Sequence, residues 1–219
     1  MNVLFILAAD SQSCFYLLSL EKEKTLLRLG PDRVIANQPL GERYVEFDGE
    51  MNGFCRWLAE QLDLTIDHHV VLTQAALCDF LFAKEPTIEV RNPQAFTYHG
   101  HVTGTADIID QKNCEEAFPK GPQSLDAAAF LRFITYQEDA PGVFRVFARQ
   151  EHVLRLIKEQ MLSSVNPTKI LRKFNGLKKY IQTDLNISDL LKLFTAYQEG
   201  RGSKIKRITQ TNSTDATLP

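Results

Sequence analysis

Between Lys120 and Gln150 the chain reads K-G-P-Q-S-L-D-A-A-A-F-L-R-F, a short polar break, then V-F-R-V-F-A-R-Q. Arg132 and Arg149 fall at the inner ends of two helical patterns that face each other across one loop. Planar guanidinium forks match the oxygens of a phosphate or pyrophosphate, so these residue types at this junction point to an anionic phosphorus ligand. Arg145, Arg149 and His152 fall at i, i+4 and i+7 and share one helix face. That face lies in the first turns, where backbone N–H groups already favour anions. The competing reading is a solvated basic stripe pairing with Glu151 or Glu138.

Acidic residues supply the complementary chemistry. Asp10 ends the apolar run Val3–Ala9, and Asp32 ends the turn Gly30-Pro31-Asp32. The runs Cys14–Leu20 and Thr25–Leu29 flank Glu21-Lys22-Glu23-Lys24, which predicts an antiparallel hairpin. If residues 20 and 25 pair, Cys14 and Asp32 share one end of the sheet, and Asp10 joins them if the first strand points the same way. Two carboxylates at such an edge suit a hard cation such as Mg2+. The competing reading makes both aspartates turn or cap residues. His68 and His69 are adjacent on a predicted strand and point to opposite faces, so they do not share one ion.

Other elements must hold these groups in place. Val3–Ala9 is apolar throughout, as for a strand buried on both faces of an α/β sheet. Residues 49–62 form a predicted helix with Met51, Phe54, Leu58 and Leu62 inward and Trp57 packing beside them. A strand follows over 68–72, a short helix over 74–82, and two strands over 87–91 and 95–103. Ser124 is the predicted N-cap of the Arg132 helix, with Asp126 in its first turn. The Arg149 helix starts near Val143. Further helices open at Asn166-Pro167 and at Ser188. The tail from Gly200 is polar and reads as disordered, leaving residues 1–199 as the domain.

Composition sets the bounds. A length of 219 residues with 44% hydrophobic content is ample for a core. The net charge of −2 argues against nucleic acid or any other bulk polyanion, so an anion site is local. Cys14, Cys55, Cys78 and Cys114 are widely spaced, without the C-x-x-C spacing of a zinc site. The first apolar run falls far short of the roughly 20 residues of a membrane helix, and no basic segment or cleavage site marks a signal peptide.

The order of these segments resembles the LytR-CpsA-Psr family of bacterial cell-envelope proteins. The resemblance covers most of residues 2–195. It is carried by G-P-Q-S-L-D-A-A-A-F-L-R-F with A-R-Q-E-H-V-L, supported by N-V-L-F-I-L-A-A-D-S, D-H-H-V-V-L-T and I-Q-T-D-L-N-I-S-D-L-L-K-L. It implies a three-layer α-β-α sandwich around a mixed central sheet. It also implies a polyprenyl-pyrophosphate carrier as ligand, and transfer of a glycopolymer such as teichoic acid or capsule to peptidoglycan. The chemistry implied is displacement at phosphorus, aided by magnesium and arginines. Asp10 and Asp32 stand at family aspartates and are the implied metal pair. Asp32, Arg132 and Arg149 are the implied catalytic set, and Arg33, Arg145 and Gln150 the implied substrate-binding set.

Several positions depart from the family pattern. Its R-S-D motif is Gln12-Ser13-Cys14 here, the arginine of its P-R-D motif is Pro31, and the second arginine of R-x-R is Ile134. An aspartate and an arginine ahead of the R-Q pair are Val143 and Val146. Arg33 and Arg145 are displaced neighbours suited to partial replacement. Three functions are therefore carried forward: a transferase with a rearranged pocket, a member that binds carrier lipid or a partner without turnover, and a cytoplasmic α/β binding module. Family members normally carry a membrane helix ahead of the first strand. The first two readings place the chain at the outer face of the membrane if such an anchor is encoded upstream, and the lack of one ahead of the first strand favours the third.

Overall fold

The computed structural model describes residues 1–20, 24–99, 115–136, 143–161, 172, 174–199 and 205–210. The chain divides into two compact units, Met1–Phe80 with Met161–Pro219, and Leu81–Gln160.

The first unit is built on a six-stranded sheet. β1 (Asn2–Ala8), β2 (Cys14–Leu20) and β3 (Lys24–Leu29) form an antiparallel meander. β6 (His68–Thr73) joins parallel to β1, β11 (Gln182–Thr183) lies antiparallel to β6, and β12 (Lys206–Gln210) adds parallel to β3. The order is β11-β6-β1-β2-β3-β12, so the architecture is α/β around a mixed central sheet. Burial of β1 on alternate faces, with Val3, Leu4, Ile6 and Leu7 all at 5% exposure or less, explains its unbroken apolar sequence. In the β2–β3 hairpin Leu20 pairs with Lys24 and Phe15 with Leu29. The register is one residue tighter than predicted. Residues 206–210, read from sequence as polar tail, form β12 instead. They are mostly exposed, as suits a strand at the edge of the sheet, and their partner lies about 180 residues upstream in the chain.

Between β3 and the first helix the chain makes a miniature hairpin. β4 (Val34–Ile35) and β5 (Gln38–Pro39) pair across Ala36 and Asn37, whose φ values of 51° and 66° give the doubly left-handed turn that matches strand twist. It delivers the chain to α1 (Leu40–Glu46), a helix absent from the sequence reading. α2 (Met51–Leu62) follows, packing Met51, Phe54, Cys55 and Leu58 against Leu4, Ile6, Phe15, Leu17, Leu29 and Val71 of the sheet. Trp57 lies 6.0 Å from Phe54 and 6.2 Å from Phe47 between ring centres, so it packs as expected. α3 (Gln74–Leu81) runs out of β6. The helix predicted from Asn166-Pro167 lies partly outside the described residues, which show helix at 174–177. α6 (Ile187–Glu199) is capped by Asn186, whose Oδ1 accepts from the Asp189 N–H at 3.0 Å. The cap is thus two residues before the predicted Ser188, since an amide oxygen at Asn186 reaches the orphan donor directly.

The second unit holds two antiparallel pairs, β7 (Ile88–Asn92) with β10 (Gly121–Leu125) and β8 (Phe96–His99) with β9 (Glu115–Phe118). It also holds α4 (Ala127–Thr135) and most of α5 (Val143–Met161). The α4 cap is Asp126, whose carboxylate accepts from the Ala129 N–H at 2.8 Å. Ser124, the predicted cap, is spent in β10 opposite Glu89.

Candidate functional site

In the first unit the turn after β1 carries Asp10. Its φ of 48° is uncommon for a residue with a side chain, though aspartate tolerates it better than most. Ser13 ties the turn: its Oγ accepts from Ala9 N–H at 2.9 Å and donates to the Asp10 carbonyl at 2.6 Å. The turn after β3 carries Asp32 and Arg33. Arg33 N–H closes it on the Gly30 carbonyl at 3.2 Å. Since Leu7 pairs with Cys14 and Phe15 with Leu29, both turns lie at the same rim of the sheet. The predicted grouping of Asp10, Cys14 and Asp32 at one sheet end therefore holds. Asp10 and Asp32 are exposed, while Cys14 is fully buried. Tyr44 of α1 feels this rim: burial pushes its hydroxyl pKa up, and the charge of Asp10 adds to the rise.

Among the described residues, no group of three or more His, Cys, Asp or Glu side chains is arranged to hold a metal ion. Magnesium does not need one. It keeps several waters and is commonly held by one or two carboxylates plus the phosphate oxygens of a substrate. Two exposed carboxylates on hydrogen-bonded turns at one rim fit that pattern, and the buried Cys14 thiol does not add to it, because hard cations prefer oxygen.

In the second unit the predicted arginines part ways. Arg132 pairs with Glu116 of β9, both side chains remaining partly exposed. Arg149 is buried to 1% exposure. Its guanidinium lies 4.4 Å from the ring centre of Phe96 and 5.8 Å from that of Phe133, and it donates to the Tyr136 carbonyl just beyond α4. Gln150, 4% exposed, donates its side-chain amide to the Ile134 carbonyl at 2.8 Å. Neighbouring residues of α5 thus bind two of the carbonyls left over at the end of α4. His152 Nε2 accepts from the Arg91 N–H at 2.9 Å. The Arg145–Arg149–His152 face is therefore packed at Arg149 rather than solvated along its length. Glu138 lies outside the described residues.

The paired histidines meet one carboxylate after all. His68 Nδ1 is 3.5 Å from Asp184 Oδ2 and His69 Nδ1 is 3.4 Å from Asp184 Oδ1, while His68 Nε2 is 3.7 Å from Asp189. Asp184 sits beyond the edge strand β11, where it also accepts from the His69 backbone N–H at 2.8 Å. No local pattern signals this contact, since the two segments are more than a hundred residues apart. Burial is the main cause that pushes the Cys55 and Cys78 thiols up to about 11, with smaller contributions from Asp184 and Glu50 for the first and Asp79 for the second. Neither is a thiolate nucleophile at neutral pH.

The fold is similar to that of TagV from B. subtilis, with a TM-score of 0.67 and 18% identity over 97% of this chain and 85% of that one. It is similar also to TagU from B. subtilis, with a TM-score of 0.59 and 18% identity over 95% and 83%. A LytR-Csp2A-Psr enzyme from Actinomyces oris aligns with a TM-score of 0.65 and 19% identity over 95% and 79%. A search by sequence among curated proteins returns no significant match. The chain belongs to the LytR_cpsA_psr family, whose model matches residues 46–217. It is accordingly a cell-envelope protein resembling the phosphotransferases that attach glycopolymers to peptidoglycan. Arg132, Arg145, Arg149 and Gln150 lie inside the matched span, and Asp10, Asp32 and Arg33 lie ahead of it. No helix among the described residues is long and apolar enough to cross a membrane.

Proposed function

We propose that this domain works at the outer face of the cell membrane, taking the phosphate end of a polyprenyl-pyrophosphate-linked glycopolymer and passing the polymer to peptidoglycan. The observation that carries this reading is the pair of exposed carboxylates, Asp10 and Asp32, on tied backbone turns at one sheet rim in a chain of this family. An acceptor hydroxyl oxygen forms a bond to the polymer-side phosphorus and loses its proton. The bond to the bridging oxygen breaks, and polyprenyl phosphate leaves. Asp10 and Asp32 would hold Mg2+, which when bound neutralises charge on the phosphate oxygens. Arg33 adds a guanidinium to the turn that carries Asp32, and within the second unit Arg132 and Arg145 are separate candidates for phosphate binding. Arg149 and Gln150 act by fixing the end of α4.

The test is release of inorganic phosphate from a polyprenyl pyrophosphate. Release that requires Mg2+ and falls on Asp32→Ala supports the reading; release at background in the unaltered protein rejects it. A second reading, binding of the carrier without turnover, is favoured by one observation: a fully buried thiol, Cys14, stands where the family motif has a carboxylate. In that case polyprenyl phosphate raises the melting temperature and is recovered unchanged.

A further inference from the structure

Gly41 occupies the second position of α1, where alanine is the better helix former. Yet a Cβ built there would lie 1.8 Å from the Ser11 carbonyl oxygen, 2.8 Å from its carbon and 3.0 Å from Pro31 Cβ. The obstacle is backbone, which cannot swing aside as a side chain does. Gly41 N–H also donates to the Pro31 carbonyl at 2.9 Å, and Leu40 N–H donates to the Arg33 carbonyl at 2.8 Å. Two consecutive residues of α1 thus touch both acidic turns: the Asp10–Ser13 turn through the close approach of Ser11, and the Pro31–Arg33 turn through two hydrogen bonds.

We infer that Gly41 is a positioning residue for the acidic rim: its missing side chain seats the Asp10 turn against the Pro31–Arg33 turn and so sets the separation at which two carboxylates take up one hard divalent cation. The inference rests on the reading of Asp10 and Asp32 as the metal pair. Gly53 supplies the matched control. It is another helical glycine of the same unit, but the nearest atom to its built Cβ, at 1.9 Å, is the carboxylate oxygen of the exposed Glu50 side chain, which can move away.

The experiment adds Mn2+ alone, as a paramagnetic probe, to the 15N-labelled protein and follows the amide signals of residues 9–13 and 31–33. In the unaltered protein and in Gly53→Ala both groups broaden together at the same Mn2+ concentration. In Gly41→Ala, checked as folded by its spectrum, the concentration needed rises about tenfold or more, as when a supporting residue behind a metal ligand is lost. Joint broadening at the unaltered concentration in Gly41→Ala overturns the role of Gly41 while leaving the metal pair standing. Absence of broadening in the unaltered protein overturns the metal pair, and the role of Gly41 with it. If Gly41→Ala does not fold, hydrogen exchange in the unaltered protein decides: Mg2+ slows exchange of the Leu40 and Gly41 amides if α1 braces the rim, and unchanged exchange rejects the inference.

Discussion

The Arg149 guanidinium lies 4.4 Å from the ring centre of Phe96, in a residue only 1% exposed to solvent. A desolvated cation over an aromatic face is worth about 2 kcal/mol, and a planar guanidinium stacks where an ammonium does not. Phe96 itself stacks on Phe118 at 4.8 Å and on Tyr136 at 5.1 Å, so Arg149 is part of the aromatic core of its unit. Arg149→Lys is expected to lower stability by about 2 kcal/mol, with a coupling to Phe96→Leu of about 1 kcal/mol in a double-mutant cycle. Urea denaturation measures both. Independent, additive effects would show that the stacking contributes nothing.

Arg132 should behave in the opposite way. Its pair with Glu116 is partly exposed, with side-chain exposures of 26% and 29%, so its loss costs only about 0–1 kcal/mol of stability. If Arg132 serves the phosphate, Arg132→Ala lowers phosphate release by on the order of 10²-fold while the melting temperature hardly moves. A parallel loss of stability and activity would mark it as a structural residue like Arg149.

The contrast between these two arginines shows where the sequence stops being legible. Both were readable as phosphate ligands because guanidinium chemistry is local. What buries Arg149 is Phe96 and Phe133, on separate elements, and no periodicity links them to it. The sheet was easier. The apolar run of β1 has one physical reading, burial on both faces, and the short polar turn after β2 requires a hairpin. Capping was legible in kind but not in position: Ser124 and Asp126 are both good caps, and only the pairing of β10 with β7 decides between them. The strand β12 was missed because K-R-I-T-Q is polar, and its parallel partner is remote. α1 was missed because Gly41 weakens its helical signal, and the reason for that glycine is a contact with Ser11.

Acid should loosen the start of α6. Burial alone would raise the Asp189 pKa. The Lys192 ammonium at 3.2 Å and the Asn186 backbone N–H overcome it, together with the charges of His68 and Lys192, and hold the carboxyl below its ordinary value. With Asn186 accepting from the Asp189 N–H, the two residues form a reciprocal cap. A carboxyl whose pKa is lower in the folded chain contributes its full stability above the unfolded value of about 3.9 and loses it as pH falls through the lower folded value. The stability gap between the unaltered protein and Asp189→Asn should therefore be constant near neutrality and shrink across that acid window. Melting curves from pH 7 to 3 measure it, and a gap independent of pH would remove Asp189 from the cap.

Position 14 offers the sharpest separation of the two functional readings. Cys14 is fully buried, and its Sγ lies 4.0 Å from the Gln12 carbonyl oxygen. Placing a carboxylate there without a partner costs several kcal/mol, unless the group stays protonated or meets a cation. Cys14→Asp is therefore expected to melt lower than the unaltered protein in chelator. If the rim binds magnesium, Mg2+ restores much of the loss, because the new carboxylate then has a cation to ligate and binding to the folded state alone stabilises it. The same variant should release phosphate from polyprenyl pyrophosphate faster if transfer is limited by the missing ligand. Rescue of stability without a gain in turnover favours the carrier-binding reading. A melting temperature indifferent to Mg2+ in both proteins would show that the folded chain binds no Mg2+, and the argument from Asp10 and Asp32 would fail.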